Sequence, residues 1–189
     1  MHFTLADLVT DITQNAIEAG AGMVELEVSE TLYSNGSGGE FRFLVKDNGR
    51  GMTEEELKKA IDPFVTDGIK HPNRKVGLGL PFLIQTAGQS NGGWDIKSEL
   101  GKGTTVTAWF DSTNVDMPPV GDIAGMFRTI LMFNSPAEIH IHRKNFKDGN
   151  DDEYEFCKTE LIEALGSLED AGSLILLDQY LRSLEENEE

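Results

Sequence analysis

The chain has 189 residues, of which 39% are hydrophobic and 26% charged, and its formal net charge is −17. This size and composition are typical of one soluble domain, alone or with a small addition, and the acidic charge argues against nucleic acid or an anionic membrane as partner, because both need a basic surface. No apolar run approaches the roughly 20 residues of a membrane span, no signal peptide opens the chain, and a single cysteine, Cys157, allows neither an intrachain disulfide nor a cysteine zinc cluster, so we expect a cytoplasmic protein.

The first predicted element is an amphipathic helix that begins after Thr4. Its apolar residues recur at helical spacing, and Asp7 follows Thr4 by three residues as a weak capping signal. On another face, Asp11 and Asn15 are four residues apart and therefore project side by side. This pair indicates either an ordinary solvated face or a site where an Asn holds Mg²⁺ and a carboxylate orients or deprotonates water.

Two alternating segments then predict an antiparallel hairpin. They read MVELEVSETLY and FRFLVKD, and the second ends at Asp47. The following DNGRGM places Gly49 and Gly51 before a second helix, TEEELKKAI, whose Thr53 and Glu56 have capping-box spacing. The two glycines predict either a tight turn or a flat ligand lying close to the backbone.

A polar segment, DPFVTDGIKHPNRK, predicts a long loop before the next helix. That helix is predicted within VGLGLPFLIQTAG, where Gly77 and Gly79 lead into its first turn. A glycine-rich approach to a helix N-terminus suits an anion, because unpaired N–H groups and the helix dipole point toward the ligand. The segment GGWDIKSELGKGTTVTAWF predicts a second hairpin with GKGT at its turn.

The composition changes after residue 111. Residues 112–121 are polar with two prolines, which is typical of a linker, and residues 122–189 predict a small acidic α/β module. In that module His140 and His142 share one face of a predicted strand, a spacing that metals use, but no carboxylate or cysteine stands at ligand spacing and a metal site is the less favoured interpretation. For Cys157 we expect packing rather than reactivity.

Taken in order, Asn15, DNGRGM, VGLGL and GKGT resemble the N box and the three glycine boxes of the GHKL, or Bergerat-fold, ATPase superfamily. The resemblance covers about residues 4–110, and the segments around DPFVT and GGWDIKSELGKGTTVTAWF look most like the catalytic domain of sensor histidine kinases. It implies an α+β fold: a two-layer α/β sandwich with a mixed sheet in residues 1–111, followed by the linker and the C-terminal module.

The resemblance also implies roles in binding ATP and Mg²⁺. The Asp47 carboxylate would accept a hydrogen bond from the adenine amino group, with Thr104 supporting it, and Asn15 would ligate Mg²⁺. Residues 62–75 would form a lid over ATP, from which Arg74 or Lys75 either reaches the γ-phosphate or is simply solvated. The expected nucleotide-binding residues are Asn15, Asp47, Gly49, Gly51, Met52, Phe64 (in the F-box position), Gly77, Leu78, Gly79, Leu80 and Thr104.

Two departures from the histidine-kinase pattern bear on the reaction. Only three residues precede Thr4, and none of the four histidines has the helical context of a phosphoacceptor, so we do not expect autophosphorylation of the usual kind. Hydrolytic members place a general-base Glu where this chain has Asp11, which is one methylene shorter. Asp11 is therefore the candidate catalytic residue, either as a slower base or in a merely supporting or solvated role.

Three functions are compatible with this pattern. The protein transfers phosphate from ATP to a separate protein, works as a slow ATPase switch, or senses nucleotide without catalysis. The expected partners are ATP and an unidentified protein or phosphoacceptor. The sequence leaves open whether the protein forms a homodimer. Topoisomerase and mismatch-repair functions are less favoured, because the chain is strongly acidic and shows no DNA-handling domain.

Overall fold

The structure is a computed structural model that describes residues 3–33, 38–62, 79–134, 138–147 and 150–186. Predicted Phe64, Gly77, Leu78 and most of the proposed lid lie outside these residues. In chain order the elements are α1 (Leu5–Glu18), β1 (Met23–Leu32), β2 (Gly39–Asp47), α2 (Glu54–Ile61), α3 (Gly79–Gln89), β3 (Gly93–Glu99), β4 (Gly103–Asp111), α4 (Ile123–Leu131), β5 (Glu138–Lys147), β6 (Asn150–Cys157), α5 (Lys158–Leu165) and α6 (Ala171–Glu186).

Six strands form one mixed sheet in the order β3-β4-β2-β1-β5-β6. The β1–β5 pair is parallel, and the other four pairs are antiparallel. At the centre, Leu26 of β1 lies opposite Val45 of β2 on one side and Ile141 of β5 on the other. The expected α+β fold with a mixed sheet, and both predicted hairpins, are confirmed.

One face of the sheet carries the core. Because side chains alternate along a strand, Val24, Leu26 and Val28 of β1 are buried while Glu27 between them is exposed. The apolar stripe of α1 packs into the same core, and each such buried Leu, Ile, Val or Phe side chain contributes about 1.5–3 kcal/mol. The stripe consists of Leu5, Leu8, Val9, Ile12 and Ala16.

Both predicted helix starts are capped as their spacing indicates. The backbone N–H of Asp7 donates to the Thr4 hydroxyl and the N–H of Thr4 donates to the Asp7 carboxylate, at 3.1 and 2.9 Å. Thr53 and Glu56 make the same reciprocal pair at the start of α2. Each cap satisfies N–H groups that the first helical turn leaves without partners.

The C-terminal strands extend the sheet of the preceding residues. β5 pairs along the whole of β1, and Phe127 of α4 meets Phe156 of β6 edge to face with ring centroids 6.0 Å apart. The carbonyls of Pro119 and Val120, within the predicted linker, accept the N–H groups of the first two residues of α1 at 3.0 and 2.9 Å. The boundary between a domain at 1–111 and a module at 122–189 remains a prediction, and the two parts share a sheet and a core.

A buried cation ties α6 to this sheet. Arg143 of β5 is 2% exposed, and its guanidinium lies 3.2 Å from Glu30 of β1 and 3.4 Å from Glu185 of α6. The Tyr154 hydroxyl of β6 donates to the same Glu185 carboxylate. The arrangement pairs a charge that would otherwise be costly to bury.

The remaining C-terminal expectations concern His140, His142 and Cys157. Within the described residues, no group of three or more His, Cys, Asp or Glu side chains could hold a metal ion, and His142 hydrogen-bonds to Glu153. Cys157 is partly buried, and burial raises the pKa of its thiol, which disfavours the reactive thiolate. No helix within the described parts of the chain is long and apolar enough to span a membrane.

Candidate functional site

The candidate site begins where β2 ends, at Asp47. This residue is 8% exposed, and its Oδ1 accepts the backbone N–H of Gly49 at 2.7 Å. Burial raises the pKa of Asp47, and hydrogen bonds from the backbones of Gly49 and Thr104 oppose that shift. The loop and the neighbouring strand thus position a buried carboxylate through backbone donors.

Glycines of this loop and of the GKGT turn lie very close to other backbone segments. Gly51 has φ +63°, and a Cβ there would stand 2.0 Å from the carbonyl oxygen of Glu99. Gly103 has φ +103°, and its Cβ would stand 2.0 Å from the carbonyl oxygen of Asp47. A Cβ on Gly49 would stand 2.9 Å from the Ala19 carbonyl oxygen. The tight turn predicted from these glycines is present, whereas the approach of adenine to Gly49 and Gly51 remains a prediction.

Asn48 joins the same loop to the turn between α1 and β1. Its Oδ1 accepts the backbone N–H groups of Gly22 and Met23 at 2.8 and 2.9 Å. The N–H of Arg50 donates to the carbonyl of Ala19, the C-cap of α1, at 2.9 Å. The loop is therefore fixed to the C-terminal end of the helix that carries Asn15, one turn or about 6 Å before Ala19.

Ser98 of β3 ties the loop to the second hairpin. Its hydroxyl accepts the backbone N–H of Met52 at 2.8 Å and lies 2.8 Å from the hydroxyl of Thr104. It also lies 3.2 Å from the carbonyl oxygen of Gly103, in the GKGT turn. Predicted site residues Met52 and Thr104 thus meet through a serine that the sequence analysis did not select.

A second group of predicted residues meets on α1. A Cβ on Gly79, the first residue of α3, would stand 3.2 Å from Asn15 Nδ2 and 3.7 Å from Asp11 Cβ. Surrounding protein raises the pKa of the Asp11 carboxyl, and the neighbouring Asp7 raises it further. Leu80 is half-buried against the core beside Gly79. The structure therefore places the N-terminus of α3 against the Asp11 and Asn15 side chains.

The candidate site has two ends. Asn48, Ser98 and the last turn of α1 hold these ends in place, and we call these three parts the frame. Asp47, Gly49, Gly51, Met52 and Thr104 form one end, and Asp11, Asn15, Gly79 and Leu80 form the other. The last turn of α1 connects them, because it carries Asn15 and receives the loop at Ala19.

Two residues of the frame, Asn48 and Ser98, were missed by the sequence analysis. The backbone partners of Asn48 are 25 and 26 residues away, so no spacing within DNGRGM indicates them. Ser98 shares an inward face with Trp94 and Ile96 of β3, so a polar residue in an apolar alternation was the available signal.

Two surface clefts lie elsewhere on the molecule. One, of about 340 Å³, is bounded by Gly121, Arg143 and Arg182, and the other, of about 460 Å³, by Arg128, Met132 and Leu174. Neither includes a residue of the candidate site. Both adjoin α6, and the first also includes Glu30 of β1.

Comparison with known proteins supports the resemblance found in the sequence. The profile of a family described as histidine kinase-, DNA gyrase B- and HSP90-like ATPases matches residues 3–114. That range contains every residue of the candidate site.

Three relatives illustrate the similarity. Sporulation kinase C of Bacillus subtilis (strain 168) is 31% identical over 102 residues, which is 53% of this chain and 22% of that protein. Sensor histidine kinase SpaK of Bacillus subtilis is 28% identical over 107 residues, 56% of this chain and 22% of its own length. DNA mismatch repair protein MutL of Thermus aquaticus is 34% identical over 76 residues, 40% of this chain and 13% of its own length. The matched part is thus less than a quarter of each relative.

Proposed function

Since the chain belongs to the family of histidine kinase-, DNA gyrase B- and HSP90-like ATPases, we propose that it binds ATP with Mg²⁺ and transfers phosphate to a separate protein or acts as an ATP-dependent signalling switch. The observation that supports this most is the buried Asp47 carboxylate, held at the end of β2 by the backbone N–H of Gly49 at 2.7 Å. A carboxylate fixed in this way is an acceptor of defined direction for the amino group of a base.

We propose that adenine binds at the end of the site that contains Asp47, and contacts within the protein fix the backbone there. Gly51 and Gly103 bring the loop and the GKGT turn within a distance that no side chain allows, and Asn48 anchors the loop to β1. Since contacts within the protein hold this part of the site in place, little ordering is needed when the base binds, and preorganisation of this kind favours affinity.

At the phosphate end, Asn15 offers an amide oxygen, a hard ligand of the type that Mg²⁺ takes, and the N-terminus of α3 faces it through Gly79. The donor set fits a hydrated Mg²⁺ held mainly by phosphates, with Asn15 as the protein ligand. When bound, the ion would neutralise phosphate charge. The first-turn N–H groups of a helix have no partners within that helix, and those of α3, which is described from Gly79 onward, are suited to phosphate oxygens.

Asp11 supports a second candidate function, slow ATP hydrolysis. It stands one turn before Asn15 and lies near Gly79, and the raised pKa of its carboxyl makes it a stronger base than an Asp of ordinary pKa. In this proposal Asp11 takes a proton from the attacking water. A nucleotide sensor without catalysis is the outcome in which Asp11 has no such role.

Phosphate release and phosphate transfer distinguish these functions. We would incubate the protein with Mg²⁺ and γ-labelled ATP, then follow free phosphate and label on added acceptor proteins, for the wild type and for Asp11→Asn. Release that falls in Asp11→Asn while ATP affinity is kept supports hydrolysis. Transfer to an acceptor without release supports the kinase, and ATP binding with neither supports the sensor. Gln14→Ala, at an exposed position on the same helix, is the matched control.

A further inference from the structure

The last helix, α6, buries one side and exposes another. Ser173, Leu177 and Leu181, at steps of four residues, are its buried residues. The exposed side also follows helical spacing, because residues three and four apart lie along one stripe of a helix. We call this exposed side the α6 face. It consists of Gly172, Ile175, Leu176, Gln179, Tyr180 and Ser183.

The charged side chains of α6 are bonded away from this face. Asp178 and Arg182 pair with each other at 3.0 Å, and each also pairs with a residue of α4 or its N-cap. Glu185 is a partner of the buried Arg143. None of the six residues of the α6 face is charged, although 26% of the whole chain is. The face therefore differs from an ordinary solvated surface of this protein.

The α6 face is also apolar and smooth. Ile175, Leu176 and Tyr180 are 59%, 53% and 41% exposed. The Ser183 hydroxyl donates to the carbonyl of Tyr180 at 2.7 Å, so it keeps a partner when the face is covered. Gly172 has no side chain, which allows close approach at the other end of the face. Single exposed apolar side chains are common, whereas a contiguous group of them marks a contact surface.

The charge around the α6 face indicates which partner it suits. Residues 150–189 contain thirteen acidic and two basic residues, a net charge of −11 within the total of −17. Both basic residues have partners, since Lys158 is buried and donates to a backbone carbonyl, and Arg182 is in ion pairs. Exposed Glu169 and Glu186 stand before the face and after it. A basic partner is attracted to such a surface, whereas a second copy of this acidic chain is repelled.

We infer that the α6 face is a docking surface for a basic amphipathic helix of another protein. The face runs along about three helical turns, roughly 16 Å, which suits the apolar stripe of a second helix, with lysine or arginine on both sides of that stripe. It lies outside residues 3–114, which the family profile matches, so the inference does not depend on the ATP site. A contact of this length is small, and we expect a transient complex.

The test uses the full chain and a labelled synthetic peptide of about 20 residues, long enough to form a helix. The peptide has Leu at steps of three and four residues and Lys elsewhere on its surface, and fluorescence anisotropy measures its binding. We expect Leu176→Gln and Ile175→Gln each to weaken binding about tenfold, because each removes apolar area from the contact. Leu100→Gln is the matched control, since Leu100 is 58% exposed but lies outside α6. It should bind as the wild type does.

Two altered peptides separate docking from simple charge attraction. A peptide with Glu in place of Lys should not bind, and one with Ser in place of Leu should bind at least about tenfold more weakly. Equal binding of the Leu and Ser peptides, or equal binding by wild type and both variants of the face, would overturn the inference. Circular dichroism shows whether each variant is folded.

Sedimentation equilibrium tests the other occupant, a second copy of this chain. We expect the wild type to be a monomer under conditions in which it binds the Lys peptide. A wild-type dimer that Leu176→Gln converts to monomer would show that the α6 face serves self-association, and the inference would be wrong. A wild type that does not bind the Lys peptide would overturn it as well, whatever the outcome for ATP.

Discussion

The side-chain nitrogen of Asn15 lies 3.2 Å from the place that a Cβ on Gly79 would occupy. This contact joins α1 to the start of α3 and so brings two separate sequence motifs together. Because a Cβ at 3.2 Å is tight but not impossible, the Asn15 side chain would have to move by a few tenths of an ångström to accept it. An alanine at residue 79 therefore tests the end of the site where we propose that phosphate binds, without a severe steric clash.

Gly79→Ala should weaken Mg²⁺-dependent ATP binding without unfolding the protein. The added methyl displaces the Asn15 amide, while alanine within a helix is better by roughly 0.5–1 kcal/mol than glycine. Gly88→Ala in the same helix is the matched control, because nothing lies within 4 Å of its Cβ position. Calorimetry with and without Mg²⁺ and thermal unfolding measure both effects. Equal ATP affinity in the two variants would contradict the placement of Asn15.

Gly51→Ala and Gly103→Ala should each destabilise the fold strongly. At both positions φ is positive and a Cβ would stand 2.0 Å from a carbonyl oxygen. Gly101→Ala separates the two causes, since its φ is +82° and nothing lies within 4 Å. We expect Gly101→Ala to cost about 1–2 kcal/mol for the left-handed backbone alone and the other two clearly more. Urea unfolding tests this ranking, and a similar cost at all three positions would refute the steric explanation.

Asp47→Asn should change how stability depends on pH. Burial raises the pKa of Asp47 in the folded protein, so the folded state holds this proton more tightly than the unfolded state. This tighter proton binding adds to the free energy of unfolding. The added stability is complete below the pKa in the unfolded state, about 3.9, and is lost as pH rises through the pKa in the folded state. Asparagine does not titrate. The unfolding free energy of Asp47→Asn relative to the wild type should therefore increase between acid and neutral pH, and a constant difference would contradict the raised pKa.

Asn48→Ala should loosen the loop that carries Asp47. It removes the acceptor of the Gly22 and Met23 N–H groups, and a typical hydrogen bond contributes about 0.5–1.5 kcal/mol to stability. Asn48→Asp keeps an acceptor oxygen and should cost less. Urea unfolding gives the stability change, and faster hydrogen exchange at Met23 would locate it. If Asn48→Ala is as stable as the wild type, these contacts do not support the loop.

Arg143→Ala should be among the more damaging substitutions in the C-terminal part of the chain. It leaves Glu30 and Glu185, which are 16% and 19% exposed, without their cation. Breaking a buried ion pair in this way costs about 3–5 kcal/mol. The exposed Lys59–Glu55 pair of α2 is the comparison, and Lys59→Ala should cost less than about 1 kcal/mol. Comparable losses in the two variants would show that the Arg143 pairs contribute little.

Local features of the fold were well predicted from the sequence. The alternation in β1 and β2, the spacing of Thr4 with Asp7, and that of Thr53 with Glu56 depend on residues a few positions apart, and each is present as expected. The structure brings described residues of the four boxes together at the two ends of the candidate site, and their roles in binding remain predictions. Such signals are readable because strand and helix periods act over short distances.

Long-range pairing could not be read in the same way. The parallel register of β5 with β1 joins segments more than 100 residues apart, and no periodicity encodes it. The contacts of Asn48 with Gly22 and of Ser98 with Met52 depend on how separate loops meet, which the spacing of residues within one segment does not determine. For the same reason the sequence leaves open whether residues 122–189 pack on the preceding core, dimerise or dock a partner, whereas the described residues of both parts share one core.

The most direct test of the central claim is calorimetric titration of ATP into the wild type and Asp47→Ala, with and without Mg²⁺. Asp47 is the buried acceptor on which the proposed adenine contact depends. We predict that the wild type binds ATP, more tightly with Mg²⁺, and that folded Asp47→Ala loses that binding. A wild type that does not bind ATP, or a variant that binds it equally well, would contradict the proposal.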